Sequence, residues 1–306
     1  MSVPFIHWSP ELYVTELNLP FLKKNGVKVS VLRLDLIDPR ISGNKWFKLR
    51  LLLEQAAIVG AQGVISLGGA HSNHLHALAA AGQRFGFSTV GLIRGHPCDT
   101  PTVRDLTEMG MELHWLGFER FRQRHQPDFW QPWHARYPRF ACINEGGHSL
   151  LGAQGCAVLV EKVRQLLPTY DAWWLGVGTG TTLAGLVLGE GGEKPVYGAL
   201  AVPAGYGVEE SLQQIFAQAG SPHQGYRLHQ AARKGFGKAD SELLAFIKEV
   251  TEYSGLPLEP VYTGKALLAL KEHIEQGNLA QGTHMVFVHT GGLQGMRASV
   301  RPLIRD

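Results

Sequence analysis

Short apolar runs that alternate with helical patterns constrain this chain more than any other feature. Gly63–Leu67 (GVISL), Thr89–Ile93 (TVGLI), Met111–Trp115 (MELHW) and Phe140–Ile143 (FACI) read as strands, with Asn73–Phe85 and Thr102–Met109 as helices between them. The theme resumes in the second half. There Ala172–Val177 (AWWLGV), Pro195–Ala199 (PVYGA) and His284–Val288 (HMVFV) read as buried strands, and Leu150–Leu167, Thr182–Leu188, Ser241–Tyr253 and Gly264–Gln276 as helices. Strands that are apolar almost throughout must be covered on both faces, which predicts parallel sheets flanked by helices. The aromatic, Pro-rich stretch His125–Pro138 interrupts the rhythm and is expected as a loop packed on the surface. The fold class is therefore α/β, with two open-sheet lobes and a crevice between them. In such sheets ligands sit beyond the carboxyl ends of the strands.

Composition removes several classes. Lys and Arg number 29 against 26 Asp and Glu, and a net charge of +3 is too near balance to call for a nucleic-acid or anionic-membrane partner. Cys98, Cys142 and Cys156 are odd in number and widely spaced, so neither a disulfide framework nor a cysteine-based zinc site is expected. No stretch of about 18 apolar residues occurs, and Met1 to Leu17 lacks a basic start followed by an apolar core, so the expected location is the cytoplasm. The surplus is glycine, 37 of 306 residues, which implies tight turns and close backbone approaches.

Five segments could carry chemistry. Ser42-Gly43-Asn44-Lys45 opens a predicted helix from Trp46 to Ile58, which puts Lys45 at the positive end of the helix dipole. A cation is disfavoured there, so Lys45 is a candidate amine nucleophile as well as an ordinary solvated lysine. In Ser66-Leu67-Gly68-Gly69-Ala70-His71-Ser72-Asn73-His74 a strand runs through paired glycines into a helix, giving bare backbone that a ligand could approach. His71, His74 and His76 match no zinc spacing, and no metal is expected. Gly178-Thr179-Gly180-Thr181-Thr182 follows a strand, so its amides and hydroxyls form a candidate phosphate cup or a plain strand–helix turn. It lacks both the third glycine of a dinucleotide fingerprint and the Gly-Lys-Ser/Thr ending of a nucleoside-triphosphate loop. Glu259-Pro-Val-Tyr262-Thr263-Gly264-Lys265 and His289-Thr290-Gly291-Gly292 put hydroxyls and glycine at two further junctions.

The order of these five segments resembles the fold type II (tryptophan synthase beta-like) pyridoxal-phosphate enzymes, in the branch of 1-aminocyclopropane-1-carboxylate deaminase and D-cysteine desulfhydrase. The likeness runs from about Arg33 to Gly292. It implies pyridoxal 5'-phosphate in the crevice, a small amino acid as substrate and a homodimer. It also implies a large cofactor-binding domain of residues 1–48 and 150–306 and a small one of 49–149.

By the resemblance, Lys45 would hold the cofactor as a Schiff base and move the substrate's proton. Asn73 would donate to the phenolic oxygen, and Ser72 would stand over the substrate carboxylate. Gly178, Thr179, Gly180, Thr181 and Thr182 would hold the phosphate through amides and hydroxyls, without a basic patch. Tyr262 would be an active-site phenol and Thr290 a partner for the pyridine nitrogen. His148, in Glu145-Gly-Gly-His-Ser149, would border the substrate.

Thr263 after the tyrosine and Thr290 before Gly-Gly are the desulfhydrase-like choices; the deaminases carry Glu and Leu there. D-cysteine desulfhydrase-like β-elimination is therefore the leading expectation, with deaminase activity on the cyclopropane acid or another reaction on a small amino acid behind it. Two positions depart from the pattern: Phe236, in Gly235-Phe236-Gly237, replaces a second active-site tyrosine, and His71 replaces the glutamine before Ser-Asn. Both face the substrate side. From other classes, an NAD-binding oxidoreductase is opposed by the missing glycine, and a non-catalytic binding homologue by the retained Lys45.

Overall fold

A computed structural model describes residues 2–298. The strands are β1 (Val14–Glu16), β2 (Lys28–Arg33), β3 (Gly63–Gly68), β4 (Ser88–Ile93), β5 (Glu112–Trp115), β6 (Phe140–Cys142), β7 (Ala172–Val177), β8 (Val196–Leu200), β9 (Tyr226–Gln230) and β10 (His284–His289). They form two sheets, one of six strands in the order β1-β2-β10-β7-β8-β9 and one of four in the order β5-β4-β3-β6. All pairings in the smaller sheet are parallel. In the larger sheet only β1 runs antiparallel, at the edge beside β2.

The central strands are the predicted ones, because β3, β7 and β10 are buried along nearly their whole length. The helix Asn73–Phe85 begins where Ser72 caps it, the Ser72 hydroxyl accepting from the Leu75 amide at 3.2 Å. The sequence reading lacks β1, β2, β9 and the helix Val208–Gln218. β1 and β9 are short edge strands that mix polar and apolar residues, and they carry no continuous apolar run.

The stretch His125–Pro138 is not a surface loop. It holds the helix Gln131–Arg136, and its Phe129 and Trp133 are buried against Ile65, Leu67, Val90 and Leu92. Its aromatic rings cover a face of the smaller sheet that a regular crossover helix would otherwise occupy.

The expected boundary after residue 48 falls inside the helix Lys45–Ile58, which runs unbroken. That helix packs on Leu150–Leu166, which in turn packs on Thr181–Glu190. One buried cluster accordingly reaches from Val64 and Ile93 in the smaller sheet to Leu175 and Val286 in the larger one.

Candidate active site

Three turns converge at the carboxyl ends of the strands: Gly69–Ser72 after β3, Gly178–Gly180 after β7 and Thr290–Gly292 after β10. The start of the helix Lys45–Ile58 is tied to the last of these, since the Asn44 amide donates to the Thr290 carbonyl at 3.2 Å. The Asn44 side chain also donates to Thr182 Oγ1 at 2.8 Å, which links the helix start to the glycine–threonine cup.

Lys45 is the first residue of its helix and lies partly open to the crevice, its Nζ donating to Asn44 Oδ1 at 2.8 Å. Burial of the ammonium, followed by repulsion from Lys48, lowers its pKa to about 7. The neutral, nucleophilic amine is therefore well populated near neutrality. Its Nζ stands 6.0 Å from the centre of the Tyr262 ring. That ring lies close over Gly178, where a Cβ would come within 3.0 Å of Cε1. Burial, then the carboxylates of Glu259 and Glu145, raise the Tyr262 pKa, so its phenol stays protonated. Phe236 meets Tyr262 edge-on at 5.9 Å between ring centres and is 44% exposed.

In the cup, Thr179 and Thr181 bring their hydroxyls within 3.0 Å of each other, and Thr181 lies 3.5 Å from His148 Nδ1. Gly180 caps the helix Thr181–Glu190, whose first-turn amides have no partner within the helix. Burial, then Lys48 and His125, lower the His148 pKa to about 4, which leaves it neutral.

Lys48 was not among the residues singled out from the sequence, and it changes the expected character of the cup. It is buried one turn beyond Lys45 and reaches Thr179 Oγ1 with its Nζ at 3.3 Å. Burial lowers its pKa to about 8. An anion in this cup would thus meet an ammonium as well as amides and hydroxyls. The signal was present in the sequence: two lysines three apart at a helix start share the side that faces the crevice.

Glu259 is a second buried group. Its carboxylate accepts from the amides of Val261 (2.7 Å), Tyr262 (2.7 Å) and Thr263 (2.6 Å), holding Tyr262 at the start of the helix Thr263–Glu275. The Thr263 hydroxyl is taken up by Glu259, its Oγ1 accepting from the Glu259 amide at 2.9 Å and donating to the Glu259 carbonyl at 3.3 Å.

Asn73 lies beside Gly292 and is bonded to Gln294, and Thr290 is buried with no hydrogen bond to its hydroxyl among the described residues. Ser72 is partly buried at the same turn. His71 is exposed and makes no hydrogen bond among the described residues. The neighbouring histidines diverge, His74 bonding to Ser66 at 2.8 Å and His76 to Asp105 at 3.1 Å.

This donor set fits pyridoxal phosphate. A poised amine, a cup of hydroxyls and amides with an ammonium beside it, and a carboxamide at the turn after β3 match an aldehyde, a phosphate and a phenolic oxygen. The comparisons with known proteins agree. The family described as "Pyridoxal-phosphate dependent enzyme" matches residues 9–291. A putative 1-aminocyclopropane-1-carboxylate deaminase of Thermotoga maritima is 30% identical over 300 residues, covering 92% of this chain and 94% of its own. A D-cysteine desulfhydrase of Serratia proteamaculans is 26% identical over 296 residues, 89% of each chain. A crystal structure of an ACC deaminase homologue superposes with a TM-score of 0.83 at 27% identity, over 96% of this chain and 93% of that one. With the family match over most of its length and the fold in accord, this chain belongs to the pyridoxal-phosphate dependent enzymes.

Proposed function

We propose that the protein is a pyridoxal-phosphate lyase that eliminates the β-substituent of a small amino acid, with D-cysteine as the leading substrate. Bound pyridoxal phosphate supplies an electron sink for the pair left when a Cα proton departs. Lys45 carries the cofactor and moves that proton. Lys48 with Gly178, Thr179, Gly180, Thr181 and Thr182 holds the phosphate. Asn73 donates to the phenolic oxygen, and Thr290 faces the pyridine nitrogen. Ser72 and His148 receive the substrate carboxylate side, with His71 and Phe236 at the outer rim. Tyr262, kept protonated, donates to the departing group. In this reading residues 1–48 and 150–306 form the cofactor-bearing lobe and 49–149 the lobe facing the substrate.

The observation that carries the choice of reaction is the orientation of Thr263. The cyclopropane acid has no Cα proton, so opening its ring calls for further acid–base groups near Lys45. The residue after Tyr262 offers none, because the Thr263 hydroxyl is bonded to Glu259, and Phe236 offers no phenol. D-cysteine needs only loss of the Cα proton and of the Cβ–S bond, giving pyruvate, ammonia and sulfide once water is added.

The test is a screen of D- and L-amino acids and the cyclopropane acid for 2-oxo acid release. Pyruvate and sulfide from D-cysteine support the reading; 2-oxobutyrate from the cyclopropane acid alone overturns it. We further propose a cytoplasmic homodimer. Among the described residues no helix is long and apolar enough to cross a membrane. Light scattering that gives a monomer mass would remove the dimer from the account.

A further inference from the structure

Gln294 lies in the short 3-10 segment Leu293–Ala298 that follows the Thr290–Gly292 turn, and its Nε2 donates to Asn73 Oδ1 at 2.9 Å. Asn73 is the first residue of the helix Asn73–Phe85, and its Nδ2 rests over Gly292, where a Cβ would stand 2.6 Å away. A carboxamide has an acceptor end and a donor end, and its partners decide which way each end points. With Oδ1 taken by the Gln294 donor, the Nδ2 hydrogens of Asn73 are left for the crevice. The segment that carries Gln294 is itself fastened to the smaller lobe. Arg297 Nη1 donates to Asp105 Oδ1 at 3.2 Å, its Nη2 donates to Oδ2, and His76 Nε2 meets the same carboxylate at 3.1 Å.

We infer that Gln294 is a positioning residue that turns the donor end of Asn73 toward the phenolic oxygen of pyridoxal phosphate; this rests on the assignment of Asn73 above. The chemistry separates this role from simple bracing. In Gln294→Glu the side chain keeps its shape but can only accept, so it attracts Asn73 Nδ2 and presents Oδ1 to the phenolic oxygen. In Gln294→Ala the carboxamide is merely unguided. A positioning role makes Glu the more damaging change. A bracing role makes Ala the more damaging one, because Glu still bonds across the gap.

The test uses the full-length holoenzyme, with two readouts besides turnover: the pH midpoint of the cofactor's visible absorption band and the dissociation constant for pyridoxal phosphate. A donor to the phenolic oxygen draws off negative charge that stabilises the protonated lysine nitrogen beside it, so losing the donor raises that midpoint. Asn73→Ala is expected to raise it by about one pH unit and to weaken cofactor binding about tenfold. Gln294→Glu is expected to match or exceed both changes, and Gln294→Ala to give a smaller shift in the same direction. In the Asn73→Ala background Gln294→Glu should add nothing. A Gln294→Glu enzyme that resembles wild type, is milder than Gln294→Ala, or keeps its full effect without Asn73 overturns the inference while the Asn73 assignment stands. An Asn73→Ala enzyme with an unchanged midpoint and affinity overturns both. Should Gln294→Glu fail to fold, an unchanged midpoint in Gln294→Ala is itself contradictory.

Discussion

The two ends of the crevice are built differently. At the glycine–threonine cup, Thr179 bonds to Lys48 and Thr181, and Asn44 bonds to Thr182, and of these five only Thr179 is not fully buried. At the outer rim, His71 and Phe236 are exposed, and Phe236 meets the edge of the Tyr262 ring. A group held by several buried partners tolerates little change, whereas an open rim can change residue without disturbing the fold. Both departures from the resembled family lie at the rim. On the function proposed above, the contrast assigns the cofactor chemistry to the buried end and leaves substrate choice to the open one.

The largest effect should come from the boundary between the ends. Lys45→Ala is expected to remove the visible absorption of the cofactor and lower turnover by about 10²–10⁴-fold or more, measured as pyruvate release from D-cysteine. Activity within tenfold of wild type would break the comparison outright. Lys48→Ala deletes a charged donor at the buried end, so pyridoxal-phosphate affinity should fall about 10- to 100-fold in equilibrium dialysis while the KM for D-cysteine at saturating cofactor changes little.

The same substitution sharpens the electrostatics. Cofactor uptake needs the neutral Lys45 amine, so the uptake rate should rise with pH through about 7 and level off above it. Lys48 is, after burial, the second cause of that lowered pKa. Stopped-flow uptake by Lys48→Ala should therefore show a midpoint displaced upward, and a downward displacement would count against the pairing of the two lysines.

Smaller effects are expected at the rim. Phe236→Tyr restores a hydroxyl worth about one hydrogen bond, and kcat/KM for D-cysteine should rise several-fold with the absorption spectrum unchanged. His71→Gln, at an exposed position, should alter KM by no more than about two- to threefold. A spectral change in either variant would show that the rim reaches the cofactor.

Much of this arrangement was legible from the residues because glycine and hydroxyl side chains cluster where buried strands end. The helix Asn73–Phe85 could be read to its last residue, since Ser72 caps it and Gly86 ends it in a left-handed conformation. What escaped has a common cause. β1, β2 and β9 mix polar and apolar residues, and such short alternating strands give a weaker signal than a continuous apolar run. Lys48 shares a helix side with Lys45, which the spacing shows, but only the cup packed against it makes it a buried cation. Gln294 acquires its meaning from Asn73, 221 residues away, which no nearby pattern could supply. The aromatic stretch around Trp133 looked like a loop because its burial depends on a sheet formed elsewhere.

The most direct measurement is to reduce the pyridoxal-phosphate-loaded protein with borohydride and locate the adduct by peptide mass spectrometry. Two lysines one helical turn apart compete for it, the partly open Lys45 poised at about 7 and the buried Lys48 at about 8 beside the glycine–threonine cup. The account predicts a single adduct on Lys45, lost in Lys45→Ala and retained in Lys48→Ala; an adduct on Lys48, or none on either lysine, would contradict it.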